Sequence, residues 1–364
     1  MHKFELDTPT LLIDFDKAER NIARMQEMAD SAGVKLRPHT KTHKTPYLAH
    51  WQLRAGSRGI TVAKLGEAEV MNAAGIDDIL IAFPLQGAAK MERLLHLAER
   101  ARLRVSLDSM KVAQDISDAA ARRGFKIPFY VEVDPGLHRV GLPPREPTRD
   151  FVRQATKLPG IEFIGLLTHA GQAYAAKTLE EVAVVGKQEG ALMVETAEML
   201  RADGIAVREV SVGSTPTARF AAQVQGVTEI RPGTYVFYDT MQVHKFACGW
   251  DDCAQTVLLT VVAKHPDRLI LDGGSKTLSS DRGPGGAATF GTVVGFAHLE
   301  IYALSEEHAH VRVTGNGPLP DIGAKVQVIP NHACAVMNLH ERFVATRGDE
   351  VLGAFEIAAR GKLQ

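Results

Sequence analysis

The feature that most constrains this chain is an alternation of short β-rich runs with amphipathic helical stretches between residues 34 and 231. Strand-like runs fall at Val34–Pro38, Gly59–Val62, Asp78–Ala82, Arg104–Leu107, Pro128–Val133, Glu162–Thr168, Arg208–Val212 and Thr228–Arg231. Helical segments lie in most of the gaps. In Ala89–Arg102, Met91, Leu94, Leu95, Leu97 and Ala98 share one side, and Glu92, Arg93, Glu99 and Arg100 lie elsewhere. Ser109–Arg123 and Leu179–Arg201 read the same way. Strands that alternate with helices pair in parallel through right-handed crossovers. Eight of them in about 200 residues fit a closed (β/α)8 TIM-type barrel, with an open doubly wound sheet as the alternative.

Beyond Asp239 the pattern changes. Thr256–Ala263, Arg268–Leu271, His310–Thr314 and Lys325–Ile329 read as strands punctuated by Gly, Pro and Asp, with no long helix between them. That is the pattern of a smaller, mostly antiparallel β domain. Thr10–Asp14 is strand-like and a candidate member of it. The expected division is a barrel over 15–241 and a β-rich domain over 242–364 plus 1–14. Gly273–Gly295 is glycine-rich and predicts a mobile loop.

Composition excludes several classes of function. Lys+Arg is 42 and Asp+Glu 43, so no basic excess speaks for nucleic acid. No apolar run reaches the roughly 18 residues of a membrane helix. The opening residues hold no apolar signal core, and three cysteines, an odd number, do not suit a secreted disulfide framework. A cytoplasmic enzyme without nucleic-acid or membrane partners is expected.

A barrel carries its active site at the C-terminal ends of its strands. Those ends read Pro38-His39-Thr40-Lys41-Thr42-His43-Lys44, Asp134-Pro135-Gly136-Leu137-His138-Arg139-Val140-Gly141, Thr168-His169-Ala170-Gly171, Val212-Gly213-Ser214-Thr215-Pro216-Thr217 and Arg231-Pro232-Gly233-Thr234. Cationic, polar and glycine-rich groups converge there. Ser214 and Thr215 after Gly213, with the amides of Gly233 and Thr234, can hold an anion such as a monophosphate. Loop turns and an N-cap account for the same residues. No G-x-x-x-x-G-K-[ST] run is present, so a triphosphate loop is not expected. Lys41 sits among His39, His43 and Lys44, a crowding that disfavours its ammonium form and suits Schiff-base chemistry with an aldehyde. A solvated basic turn is the other reading.

The second anomaly is Ile329-Pro330-Asn331-His332-Ala333-Cys334. Period-two alternation after a strand places the His332 imidazole and the Cys334 thiolate on one side, a pair suited to Zn²⁺. Two ligands leave open positions for water or substrate. From spacing alone, a buried cysteine beside a hydrogen-bonded histidine is the preferred reading. Cys248 and Cys253 have no histidine at metal spacing and read as structural thiols.

With these residues laid out, the whole chain resembles the fold-type III pyridoxal-phosphate enzymes, whose N-terminal domain is the alanine racemase barrel. Within them it is similar to the metal-dependent D-serine dehydratase, D-threo-3-hydroxyaspartate dehydratase and D-threonine aldolase group. The resemblance implies pyridoxal 5'-phosphate as cofactor, attached through Lys41 in the run Arg37–Lys44. It implies that Arg139, in His138-Arg139-Val140-Gly141, bonds the phenolic oxygen, that His169 lies against the pyridine ring, and that Arg231 faces its nitrogen. Gly213, Ser214, Thr215, Gly233 and Thr234 match phosphate-loop positions, and Tyr174 matches an active-site tyrosine. His332 and Cys334 match the dehydratases' metal motif, where the aldolases carry His-x-Asp. The implied metal is Zn²⁺, or Mn²⁺, Co²⁺ or Mg²⁺. Met241-Gln242-Val243-His244 fits neither subgroup, which leaves His244 as a pocket or a turn residue.

The implied activity is a D-specific lyase acting on small D-β-hydroxy amino acids, with Lys41 removing the α-proton and the metal acting as Lewis acid on the β-hydroxyl. Loss of hydroxide gives a 2-oxo acid and ammonia. The aldolase alternative breaks Cα–Cβ to give glycine and an aldehyde. No match to the racemase's second base, a tyrosine, is identifiable, so one-face proton chemistry is expected. A homodimer is implied by the resemblance alone. A cofactor-carrier barrel would be a single domain of about 230 residues, and the segment after Asp239 speaks against it. A metal hydrolase barrel would need His and Asp ligands at several strand ends.

Overall fold

The computed structural model describes residues 1–364. The first strand, β1 (Thr10–Asp14), is followed by helix α1 (Phe15–Ser31). Eight strands then come in sequence: β2 (Lys35–Leu36), β3 (Ile60–Val62), β4 (Asp78–Ile81), β5 (Arg102–Leu107), β6 (Ile127–Val133), β7 (Ile161–Thr168), β8 (Glu209–Val212) and β9 (Glu229–Ile230). All are parallel, in the order β2-β9-β8-β7-β6-β5-β4-β3. A parallel bridge between His39 and Thr61 joins β2 to β3 and closes the ring. The expected (β/α)8 barrel is therefore correct, and the open-sheet alternative is not. β3 and β4 are buried at every residue, on both faces, which is why these runs read as aliphatic without alternation.

The second sheet follows. β10 (Gln255–Lys264), β11 (Arg268–Leu271), β12 (Thr292–Val293), β13 (Leu299–Leu304), β14 (Ala309–Val313) and β15 (Lys325–Ile329) are antiparallel. They close into a six-stranded barrel because β10 pairs with both β11 and β15. β1 extends it beside β10, then β16 (Arg342–Arg347) and β17 (Glu350–Glu356).

By contact density the chain divides into two units. One holds Met1–Ala23, Thr42–Lys44 and Thr234–Arg360, and the other Arg24–Lys41, Thr45–Gly233 and Gly361–Gln364. These cuts differ from the expected 14/15 and 241/242. The start of α1 groups with β1 because Phe15 packs on Phe343 and Phe355, with ring centroids 6.2 and 5.4 Å away. Asn21 adds a 2.8 Å hydrogen bond to the Asp252 carbonyl.

Two expectations need correction. The helix read at Ala89–Arg102 spans Ala88–Ala98, since Arg102 already pairs in β5. Gly273–Gly295, read as a loop, holds the helical turns Ser275–Leu278 and Pro284–Gly286 and the strand β12. No helix is long and apolar enough to cross a membrane.

Candidate active site

In the parallel barrel, Lys41 follows β2 and is half-buried; its amide lies 3.4 Å from the His39 Nδ1. His39 and His169, from the ends of β2 and β7, are both held well below the usual imidazole value. Burial is the main cause, and the Lys41, Arg231 and Arg139 charges act with it. Both rings are therefore neutral near pH 7. Tyr174 lies half-buried in the short helical turn Gly171–Ala175 after β7.

Arg231 is buried; its Nη1 donates to Ser211 Oγ at 2.6 Å and its Nη2 to the Thr168 carbonyl. Ser211 Oγ in turn donates to Glu229 Oε1 at 2.6 Å, and Glu229 Oε2 accepts from Arg37 Nε at 2.8 Å. Arg37 also reaches Asp78 at 2.5 Å. A continuous chain of buried ionic hydrogen bonds thus runs through the barrel interior and fixes Arg231. Arg37 is 2% exposed and Glu229 0%, so neither charge is free of its partner.

Arg139 is exposed, with Nη2 3.9 Å from Glu132 Oε1. Its loop is shaped by Asp134, whose carboxylate accepts the Gly136 and His138 amides at 2.9 and 3.0 Å. Gly141 closes the loop at φ +105°, and a Cβ there would lie 2.8 Å from the Asp134 nitrogen. Only glycine fits.

The phosphate-loop candidates divide in two. The Gly213 amide donates to Glu189 Oε1 at 3.0 Å, and the Ser214 amide to Thr217 Oγ1 at 3.0 Å. Those two amides are already used, so Gly213 serves the turn through its φ of +96°. Thr215 Oγ1, by contrast, is buried with no hydrogen-bond partner. A buried hydroxyl without a partner costs free energy that an incoming anion recovers. With the cationic and neutral groups around Lys41, this donor set fits a pyridoxal-phosphate ring and its phosphate. Gly233 is buried in the loop after β9, and Thr234 opens the turn Thr234–Val236.

In the β-rich unit, Pro330–Cys334 is gripped at every residue that carries a polar group. Asn331, buried, donates through Nδ2 to the Asp281 carbonyl at 2.9 Å and the Thr289 carbonyl at 2.6 Å. His332 Nδ1 lies 2.7 Å from Asp281 Oδ2. The Ala333 amide donates to Asp239 Oδ2 at 2.9 Å. Cys334 Sγ is hydrogen-bonded to Thr42 Oγ1 at 3.2 Å and lies 3.8 Å from Thr234 Oγ1. The Cys334 thiolate, with Asp281, pushes His332 up to about 11. Burial raises Asp239 to about 6, against the Ala333 and Gln242 amides that stabilise its charge. Donor chemistry here suits a cation, although no three His, Cys, Asp or Glu side chains come together as a complete ligand set. His332 and Cys334 could offer a cation two ligands, with further positions open to water or substrate.

Sequence reading missed Asp281 and Asp239. A carboxylate inside the glycine-rich stretch and another at the end of the helical pattern were the available signals. His244 is exposed and packs edge-on against Trp250 at 6.0 Å. It is the last residue of the short helix Thr240–His244, neither in a turn nor placed in a pocket. The Cys248 thiol is hydrogen-bonded to Cys253, which with burial raises its pKa.

Residues 13–241 match the model of the alanine racemase N-terminal domain, and residues 254–346 that of a putative serine dehydratase domain. A D-threonine aldolase from Arthrobacter sp is 37% identical over 98% of this chain and 93% of its own. The D-threo-3-hydroxyaspartate dehydratase of Delftia sp. (strain HT23) is also 37% identical, over 91% of each. A cysteine-to-alanine mutant of D-threo-3-hydroxyaspartate dehydratase in the metal-free form superimposes with a TM-score of 0.90 at 33% identity, covering 98% of this chain and 99% of that one. A histidine-to-alanine mutant of that enzyme matches equally well, at 0.90, and the two mutated positions are two residues apart.

Proposed function

Since the chain belongs to the alanine racemase N-terminal domain family, we propose that it is a pyridoxal-phosphate- and metal-dependent lyase of small D-β-hydroxy amino acids, acting as a dehydratase. The relatives named above are lyases of D-amino acids, dehydratase and aldolase alike. Equal identity to both does not separate them. The observation that carries the dehydratase reading is Cys334, two residues after His332, in the spacing at which the hydroxyaspartate dehydratase mutants were made.

Bound cofactor supplies an electron sink for the pair left at Cα. Lys41 holds it, and its amine, once freed, takes the α-proton. Neutral His39 and His169 neither compete for that proton nor add charge beside it. Arg231, clamped by Ser211 and the Thr168 carbonyl, presents a fixed cation to the ring nitrogen and disfavours a proton there. Thr215, with Ser214, Gly233 and Thr234, binds the phosphate. A divalent metal on His332 and Cys334 supplies a Lewis acid for the β-oxygen. A thiolate donates more charge than a carboxylate and favours zinc, with manganese, cobalt and magnesium as candidates. A single base reaches one face of the substrate, so only D-enantiomers react. The working unit is a homodimer.

The test is a product assay on purified holoenzyme. D-serine or D-threo-3-hydroxyaspartate should release ammonia with pyruvate or oxaloacetate, and the L-forms nothing. D-threonine should give 2-oxobutyrate and ammonia. Glycine and acetaldehyde as main products from D-threonine would instead establish the aldolase reading, which the Arthrobacter relative favours.

A further inference from the structure

We propose that Asp281 is the positioning residue for the metal ligand His332. The inference rests on the metal reading above and goes beyond it. His332 has two ring nitrogens, and only a lone pair can hold a cation. Its Nδ1 lies 2.7 Å from Asp281 Oδ2, so the proton sits on Nδ1 and donates to the carboxylate. Nε2 is left as the basic nitrogen, with its ring plane fixed. Metal-bound histidines characteristically donate the second ring N–H to a carboxylate, which sets tautomer and orientation and raises ligand basicity.

Asp281 is held at its post by the motif it serves. Asn331, the residue before His332, ties the Asp281 carbonyl at 2.9 Å, and Ser279 Oγ accepts the Asp281 amide at 3.3 Å. The glycine-rich stretch is thereby anchored to Pro330–Cys334 by backbone and side chain together. Asp239 cannot substitute. Its two oxygens accept the Gln242 and Ala333 amides, both at 2.9 Å, and fix the backbone beside His332, not the ring. Stability does not account for the pair either. Both side chains are about half exposed, at 47% and 48%, where an ion pair adds little to folding.

The experiment titrates Zn²⁺ into chelator-stripped holoenzyme by calorimetry, for the wild type and for Asp281→Ala, Asp281→Asn and Asp281→Glu. Asp281→Ala should weaken Zn²⁺ binding by roughly 10- to 100-fold, with Asp281→Glu restoring part of the loss. The melting temperature of the stripped protein and its cofactor absorbance should not change. Cobalt-loaded wild type and Asp281→Ala should show the same d–d band positions, since the ligand set is unaltered. Zn²⁺ affinity of Asp281→Ala within about twofold of wild type overturns the assignment, set against the losses expected for such partners. Shifted cobalt bands overturn it too, because Asp281 would then be a ligand itself. Wild type that binds no metal removes the metal reading and this inference together.

Discussion

The rim around Lys41 and the turn around His332 are built with opposite charge. At the rim, the main charges acting on His39 and His169 are those of Lys41, Arg231 and Arg139. At the turn, the groups that influence His332 are the Cys334 thiolate and the Asp281 and Asp239 carboxylates. The same residue type is surrounded by cations in one place and by anions in the other. The first environment selects an anion, a phosphate or a carboxylate. The second selects a cation. On the proposed function, one chain prepares two sites whose ligands cannot be exchanged, and each should be removable without the other.

The largest expected effect falls on the rim. Lys41→Ala should abolish turnover and the absorbance near roughly 420 nm expected for the lysine-bound cofactor. Borohydride should trap the cofactor on Lys41; labelling of Lys44 or Lys64 instead would overturn the assignment. Next comes the barrel interior that holds Arg231. Arg37→Met leaves Glu229 and Asp78 short of a buried partner and should cost about 3–5 kcal/mol, read by urea unfolding. An equal loss of stability with Arg231 unperturbed, seen as an unchanged cofactor spectrum, would uncouple the network from the site.

A smaller effect separates the two regions by pH. Glu189, buried against the Gly213 amide, is raised to about 7 by burial. A folded value above the unfolded 4.5 means that this group's contribution is fully present below about pH 4.5 and lost as pH rises through about 7. Glu189→Gln keeps an acceptor for Gly213 and should remove that part of the slope, at most on the order of 3 kcal/mol. Melting temperatures between pH 5 and 8 that fall equally steeply in the variant would assign the slope elsewhere.

All eight barrel strands were legible, most to within a residue or two. Their runs are short, aliphatic and bounded by helices, so period and length agree. The β-rich unit was less so. β13, β16 and β17 were missed because their burial is partial and charges sit among the apolar residues, as in Glu350–Glu356, where every second residue is exposed. β12 has only two residues. Lys41, His169 and the His332–Cys334 pair stand out as candidates in the sequence because their neighbours carry the signal. Arg37–Glu229, Ser211–Arg231 and Asp281–His332 join residues 192, 20 and 51 apart, a distance at which no local pattern survives.

The most direct measurement strips metal from purified holoenzyme with a strong chelator. Absorbance near roughly 420 nm is then read alongside release of 2-oxo acid and ammonia from D-threo-3-hydroxyaspartate. Two independent sites predict that the absorbance stays, product release is lost, and Zn²⁺ or Mn²⁺ restores it, with His332→Ala matching the stripped enzyme. Full activity with no metal by elemental analysis, or cofactor leaving together with the metal, would contradict the account.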